Sequence, residues 1–505
     1  MQNRRDQVQA HQFVVARLTA GLLRADPDAP ETPLRRTNRG VVFGAVLGVV
    51  LCLGFLAYGF VRPGNATAWK DGRSLVMEKG TGNRYLFDGR LRPVRNYASA
   101  RLILGADMST TSVASGSLAG TAHGAPVGIE GAPDDLPGRD ALGAEPWEVC
   151  VATESTGAGS RRTVTSLLVA TDQPGSPVGG DRAVLVSHRN QDYLVWRGKR
   201  FKFIGGTTTM DALGYGAAQP VAVSAGFLDA LPAGADLAPP PLAHQGADGP
   251  VLDGVRSKAG QVYVVGAPGG TVQQYYLVGD AGLLPVTATQ AALALVRPDV
   301  RSKAYGGRTP NTLPLSADAL SRAPVDRGPG GEGGSVREAS ASLPPNPPVL
   351  QQTDALHQLC ARLEPRGSSG TAVSLVIADT AEVRSRTQAP APAKEAACVP
   401  VDAISVPPSG GSYVRALSSA GNDVGSTAYL VTDTGIKYRV TDSDSAFALG
   451  YDPGKAVAMP MPLLDMLPTG PDLSTAAAKR GVSRVTDSSR CDKPSGGLSG
   501  RQVEN

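Results

Sequence analysis

The chain has 505 residues, including 61 glycines and 40 prolines, and only 5% of its residues are aromatic. This composition predicts many turns and short elements instead of long helices. The net charge of +4 is too small to indicate a nucleic-acid-binding protein. The length allows about two to four compact domains.

The first segment, residues 1–39, is basic and carries apolar residues at near-helical spacing. Its candidate partner-binding residues are Arg4, Arg5, Phe13, Val14, Leu18 and Leu22. A helix of this length is marginal in isolation. We therefore predict that it packs on a partner or on the membrane surface, with a merely solvated segment as the alternative.

Residues 40–61 form an uncharged apolar run. About 20 such residues span a bilayer. Arg35, Arg36 and Arg39 lie just before the run, which predicts a cytoplasmic N-terminus and an extracytoplasmic remainder. A cleavable signal peptide is the alternative, but its apolar region is usually only about 7–15 residues long. The preferred interpretation is a single-pass plasma-membrane protein.

Beyond the span, four segments share one pattern, and we assign them to residues 75–137, 191–240, 250–324 and 426–473. In the second segment, apolar residues alternate on either side of Arg197-Gly198, which indicates a β-hairpin. Each unit is predicted to contain a hairpin and two short helices. Units this small bury too little apolar surface alone, so neighbouring units must share a core.

Strand-like runs between the repeats, such as Ala183–Ser187, are assigned to a central core in two parts, residues 138–190 and 350–425. Residues 325–349 and 474–505 are predicted to be a flexible linker and a flexible tail. The predicted fold class is therefore α+β. One N-terminal transmembrane helix precedes an elongated extracytoplasmic domain of four small α/β repeats around a central β-rich core.

Four of the five cysteines follow the apolar run and contain no C-x-x-C pair, so sequence-local zinc spacing is absent. Several disulfide pairings are possible. Cys150 and Cys360 each follow an apolar stretch, one in each part of the core, and a bond between them would clamp the two halves together. Cys398 and Cys491 would form the remaining pair, and unpaired cysteines are the alternative.

No catalytic or metal site is predicted, and the sequence contains no G-x-x-x-x-G-K-[ST] phosphate loop. Asp229 and Asp465 recur at one position of the second and fourth repeats. Acid–base chemistry is conceivable there, but local turn or cap hydrogen bonding is the preferred interpretation. A cell-wall-binding module, for peptidoglycan or polysaccharide, and an envelope hydrolase are alternative functions.

The chain resembles EccB, a core membrane component of the actinobacterial type VII (ESX) secretion system. The resemblance is carried by Arg4–His11, Phe13–Leu18, Leu22–Pro27, Pro33–Arg36 and the single span that follows. It implies four repeat domains around a core that is stapled by a disulfide. It also implies a scaffold in the inner-membrane complex, with EccC, EccD and EccE as partners, a mycosin protease nearby, and self-association. Some family members are labelled ATPases, and ATP is implied by that label alone.

Overall fold

The structure is a computed structural model. It describes residues 4–25, 33–61, 67–155, 159–266, 273–325, 336–338, 341–366, 370–418 and 423–486. The chain forms two compact units. The first is Met1–Leu91 with Ser109–His123, and the second is Arg92–Met108 with Gly124–Asn505.

The first unit contains two long helices, Arg4–Arg24 and Pro33–Val61, followed by a small sheet. We call this sheet 1, with strand order Leu91–Pro93, Arg84–Phe87, Ser74–Glu78, Ser109–Val113; the second unit begins within its edge strand. The short helices of this unit are Ala68–Asp71 (3-10) and Ser115–Leu118. Trp69 is fully buried and packs edge-to-face on Phe87, which gives the sheet a compact apolar centre.

Three further sheets of the second unit have the strand order of sheet 1. Sheet 2 is Lys199–Lys202, Gln191–Trp196, Arg182–His188, Val221–Ala222, with Val349–Leu350 also paired to Arg182–His188. Sheet 3 is Leu283–Val286, Gln273–Val278, Val262–Gly266, Leu313–Pro314. Sheet 4 is Lys437–Val440, Asp423–Thr432, Gly411–Leu417, Val457–Pro460. In all four sheets the strand that comes last along the chain returns parallel to the first.

Short helices accompany these sheets. In the second unit they are Tyr97–Leu104, Arg139–Ala141 (3-10), Thr207–Ala212, Ala225–Asp229, Ala288–Leu295, Val300–Lys303, Ala317–Arg322, Thr380–Arg386, Ser443–Leu449, Pro453–Lys455 (3-10), Met461–Leu464 and Thr475–Arg480. Most begin at a residue whose side chain accepts a hydrogen bond from the first turn, as Asn96, Thr287 and Asp442 do. Such caps satisfy amide groups that have no partner within the helix.

The central sheet joins strands from both halves of the chain. Its order is Ala403–Ser405, Arg161–Leu168, Trp147–Ser155, His357–Pro365, Thr371–Asp379, Ser176–Pro177. The two middle strands run antiparallel, and Cys150 lies directly opposite Cys360. One hairpin consists of Trp147–Ser155 and Arg161–Leu168, and the other of His357–Pro365 and Thr371–Asp379. The two hairpins are therefore related by an approximate two-fold axis at the cysteine pair. A separate hairpin, Asp248–Leu252 with Val255–Lys258, precedes sheet 3.

The two-fold relationship extends to sheets 2 and 4. Their second helices, Ala225–Asp229 and Met461–Leu464, contribute to one apolar cluster that covers one face of the central sheet. The Tyr215 hydroxyl donates to the carbonyl of Pro348 at 2.8 Å, and the Tyr451 hydroxyl donates to that of Pro137 at 3.0 Å. Each tyrosine thus holds the segment that leads into the opposite half of the core.

Arg182–His188 and Gly411–Leu417, predicted for the central core, instead supply the first strands of sheets 2 and 4. The reason is burial on both faces. Val184 and Val186 pack on the central cluster, whereas Ala183 and Leu185 pack within sheet 2. A strand that is buried on both sides reads as a continuous apolar run, and such a run does not reveal which sheet it joins.

The predicted tail and linker are also partly ordered. Helix Thr475–Arg480 buries Ala478 completely against the helix Tyr97–Leu104. In the linker, Leu343 packs into the cluster of sheet 2, and the Gln290 side chain donates to the carbonyl of Val336. Residues 326–335, 339–340 and 487–505 lie outside the described part of the chain. The remaining domain boundaries stay predictions.

Candidate partner-binding helix and stapled core

The N-terminal helix exposes an apolar face. Phe13, Val14, Leu18 and Leu22 line one shallow groove of about 440 Å³ together with Arg17 and Gly21. Phe13 is 65% exposed and Leu22 is 84% exposed. The structure therefore brings together the four apolar residues predicted for partner binding. Arg4 and Arg5 are also exposed but lie at least two helical turns away, so they do not line the groove.

The opposite side of the same helix is built from small residues. Ala20 is 3% exposed, and the Thr19 hydroxyl donates back to the carbonyl of Val15 within the helix. The large apolar side chains thus point away from the covered side. Burying one such side chain is worth about 1.5–3 kcal/mol, so a partner that covers this groove gains substantial free energy.

The second helix contains one candidate membrane span, Thr37–Tyr58. This stretch has 22 residues, its most apolar window of 18 residues has a mean hydropathy of 2.6, and no residue of that window is buried within the structure. At about 1.5 Å per residue it is long enough to cross a bilayer core of about 30 Å. Cys52 is a free cysteine on this helix.

A disulfide joins Cys150 to Cys360 at the centre of the second unit. Their Cα atoms are 4.0 Å apart and both side chains are fully buried. They form a small cluster with Leu168, Val376 and Val383 on the face opposite the main core. The structure thus contains the favoured pair. Cys398 is also disulfide-bonded, and its predicted partner Cys491 lies outside the described residues.

An ion pair lies beside this disulfide and was not predicted. Glu148 is fully buried, and the Arg362 Nε donates to its carboxylate at 2.7 Å. The guanidinium also donates to the carbonyl of Gln173. Burial raises the pKa of Glu148, and the arginine opposes that rise. The sequence does carry a signal for this pairing. Each residue lies two positions from a cysteine in its own strand, so its side chain is on the same face of the sheet as the two cysteines.

Glu148, Cys150 and Cys360 offer three potential metal-ligand atoms within 4.8 Å of one another. However, both sulfur atoms are bonded to each other. A cysteine binds a metal ion as a free thiolate, which a disulfide-bonded sulfur cannot supply. The chemistry of this donor set is therefore that of a structural staple.

The two repeated acids take part in equivalent ion pairs. Asp229 lies 3.3 Å from the guanidinium of Arg200, and Asp465 lies 3.9 Å from the ammonium of Lys437. The Lys437 side chain is 3% exposed and donates to the carbonyl of Leu464 at 2.6 Å. The acids thus anchor the second helix of each repeat to its hairpin, which goes beyond the local turn or cap bonding that was preferred.

The chain matches the family model described as "Type VII secretion system ESX-1, transport TM domain B" over residues 2–486. It is 26% identical to "ESX-3 secretion system ATPase EccB3" of Mycolicibacterium smegmatis, across 94% of this chain and 90% of that protein. The solved EccB3 dimer from the ESX-3 core complex has a TM-score of 0.63 and 26% identity, covering 80% of this chain and 99% of that one. A chain of an intact ESX-5 inner membrane complex shares the fold, with a TM-score of 0.61, 23% identity and 96% coverage of both chains.

Proposed function

The chain belongs to the EccB family of type VII secretion membrane components, and on that premise we propose that it is a non-catalytic scaffold of an ESX inner-membrane complex. In this role the N-terminal helix docks on cytoplasmic subunits, and the span fixes the chain in the membrane. The disulfide-stapled second unit associates outside the membrane with another copy. The EccB3 relative that was solved as a dimer supports self-association.

The observation that carries the proposal is the uncovered groove on the N-terminal helix. An amphipathic helix that leaves its large apolar side chains in water gains stability when a partner covers them. The basic residues Arg35, Arg36 and Arg39 support a cytoplasmic position for this helix. We therefore propose the cytoplasmic subunits EccC and EccD as the surfaces that receive it.

The experiment compares two glutamate substitutions on the same helix in the full chain. Leu18→Glu puts a charge in the groove, whereas Val8→Glu puts one on an equally apolar position that is 55% exposed and outside the groove. Each variant is expressed with the other components, and the complex is followed by co-purification and blue-native migration. We expect Leu18→Glu to release the chain from the complex and Val8→Glu to leave the complex intact.

Equal assembly of both variants would contradict the docking role of the groove. Loss of assembly in both would show that helix formation alone, and not the groove, is required, and would contradict it as well. The span is unchanged in both variants, so membrane insertion serves as an internal check that each protein is correctly made.

The name of the EccB3 relative includes the word ATPase. In this sequence no phosphate loop supports nucleotide hydrolysis. Turnover of ATP by the purified full chain, abolished by a single point substitution, would be needed before an enzymatic function could replace the scaffold role.

A further inference from the structure

A cavity of about 1020 Å³ lies in the second unit, at the edge of the central sheet where the strand Ala403–Ser405 ends. Its walls include the loop before the strand Trp147–Ser155 and the loop after the strand Arg161–Leu168. The end of the helix Thr380–Arg386 and the hairpin turn at Asp433-Thr434 close the other sides. The volume is at the upper end of the range for small-molecule sites, which is about 300–1,000 Å³.

A buried serine faces this cavity. Ser405 lines it and is only 6% exposed. Its neighbour Ile404 packs into the main core, so the Ser405 side chain lies on the opposite face of the sheet. The Ser405 hydroxyl hydrogen-bonds to no described residue and is open to the cavity, whereas the hydroxyl of Thr171, which also lines the cavity, is sealed within the protein. Because buried hydroxyl groups nearly always have a hydrogen-bond partner, Ser405 offers a bond to a group that enters the cavity.

Negative charge dominates the lining around this serine. Four acidic residues line the cavity: Asp140, Glu145, Asp172 and Asp433. The first three are exposed, and their carboxylates form no hydrogen bond or ion pair with any described residue. Arg386 is the only basic residue among the described lining residues, and its guanidinium is already paired with Glu382 at 2.7 Å. A cleft lined mainly by one sign of charge attracts groups of the opposite sign, so this cavity favours cations.

The spacing of the carboxylates does not suit a metal ion. Hard divalent cations require several oxygen atoms that converge at about 2.0–2.6 Å from one point. Among the described residues, no three of these acids bring their oxygen atoms within 4.8 Å of one another. The separated charges instead fit a ligand with several positive groups. Apolar lining residues lie among them, including Leu142, Pro407 and Pro408, and such surface suits the aliphatic stems of lysine and arginine side chains.

We propose that this cavity binds a basic segment of another protein, which inserts lysine or arginine side chains between the unpaired carboxylates. One inserted ammonium or guanidinium group donates to the Ser405 hydroxyl, and its remaining N–H groups donate to a carboxylate. A segment of polypeptide fills the cavity, whereas a small diamine would leave most of the volume to water. The site belongs to the second unit and does not depend on the docking role of the N-terminal helix, which belongs to the first.

The test uses the full chain in detergent and N-acetyl-lysyl-glycyl-lysinamide as the probe, with binding measured by isothermal titration calorimetry at low salt. Ser405→Ala removes the hydroxyl, and we expect it to weaken binding at least about tenfold, because a hydrogen bond to a charged group is lost. The double variant Glu145→Gln, Asp172→Asn should weaken binding about twofold to tenfold. Its matched control is Glu364→Gln, Asp236→Asn, which removes two exposed carboxylates outside the cavity and should bind as wild type does.

Two further probes test the charge and the size of the ligand. N-acetyl-glutamyl-glycyl-glutamide has the same length and the opposite charge, and we expect no binding; equal binding of both peptides would overturn the proposal. Putrescine carries two ammonium groups without a peptide backbone, and binding as tight as that of the lysine peptide would assign the cavity to free diamines and overturn the polypeptide partner. Absence of saturable binding by the lysine peptide, or equal affinity in wild type and Ser405→Ala, would show that the cavity holds only water at this serine and would overturn the proposal as well.

Discussion

Replacing both Cys150 and Cys360 with alanine tests how much of the stability of the second unit comes from the central disulfide. The bond joins residues 210 positions apart. In the chain-entropy account, restraining a loop of that length destabilises the unfolded chain by about 5 kcal/mol. Because native contacts relax after the bond is removed, we expect the double variant to lose about 3–5 kcal/mol of unfolding free energy.

The position of the bond explains why the loss of unfolding free energy should affect the whole second unit. It ties the two middle strands of the central sheet, each of which belongs to a different half of the chain. Without it, the halves are still held by the sheet hydrogen bonds, the shared apolar cluster, the Glu148–Arg362 ion pair and the two tyrosine hydrogen bonds. The halves should therefore separate at a lower denaturant concentration.

The assay is urea unfolding of the full chain in detergent under non-reducing conditions, followed by tryptophan fluorescence. Trp147 is a suitable probe because it is fully buried in the same strand as Cys150. Cys52→Ala removes the free cysteine of the membrane helix and is the control. Unfolding midpoints that agree between wild type and the double variant would refute the reasoning.

Three further tests concern the second unit. Gly198→Ala should destabilise it by several kcal/mol, because the added Cβ would lie 2.1 Å from the carbonyl oxygen of Val373. Gly254→Ala, in another hairpin turn of the same unit and also at positive φ but with no atom within 4 Å, should show only the smaller backbone cost, and equal urea midpoints for the two would contradict this. Lys437→Met should cost about 2 kcal/mol in urea unfolding, since it leaves an acid without its buried partner, and unchanged stability would contradict it. Because burial raises the folded-state pKa of Glu148, its stabilising contribution is fully present below the unfolded pKa of about 4.3 and is lost as the pH rises through the folded value. The unfolding free energy of wild type minus that of Glu148→Gln, measured across this range, should therefore fall with rising pH, and a flat difference would show that the pKa is unshifted.

The elements that local patterns define were predictable. The apolar run at residues 40–61 lies within the helix Pro33–Val61, because about 20 uncharged residues in sequence have few alternatives to a membrane helix. The hairpin at Arg197-Gly198 is also present, with Lys199 opposite Trp196. Glycine there accepts a positive φ at no steric cost.

The membership of doubly buried strands was not predictable. Arg182–His188 contributes one face to the central cluster and the other to sheet 2. A continuous apolar run carries no period that would distinguish these two environments. The polar residues 474–486 were likewise mistaken for a mobile tail, although small side chains such as Ala478 fit closely against another helix.

The sequence by itself determined that this is an EccB-family chain with one apolar helix long enough to span a membrane, because an uninterrupted apolar run and family motifs are local properties. Only the tertiary structure decided which residues meet across the central sheet. Glu148 meets Arg362 beside the central disulfide, although the two residues are 214 positions apart in the sequence. The side chains that face each other there come from distant parts of the chain, and no local pattern records their pairing.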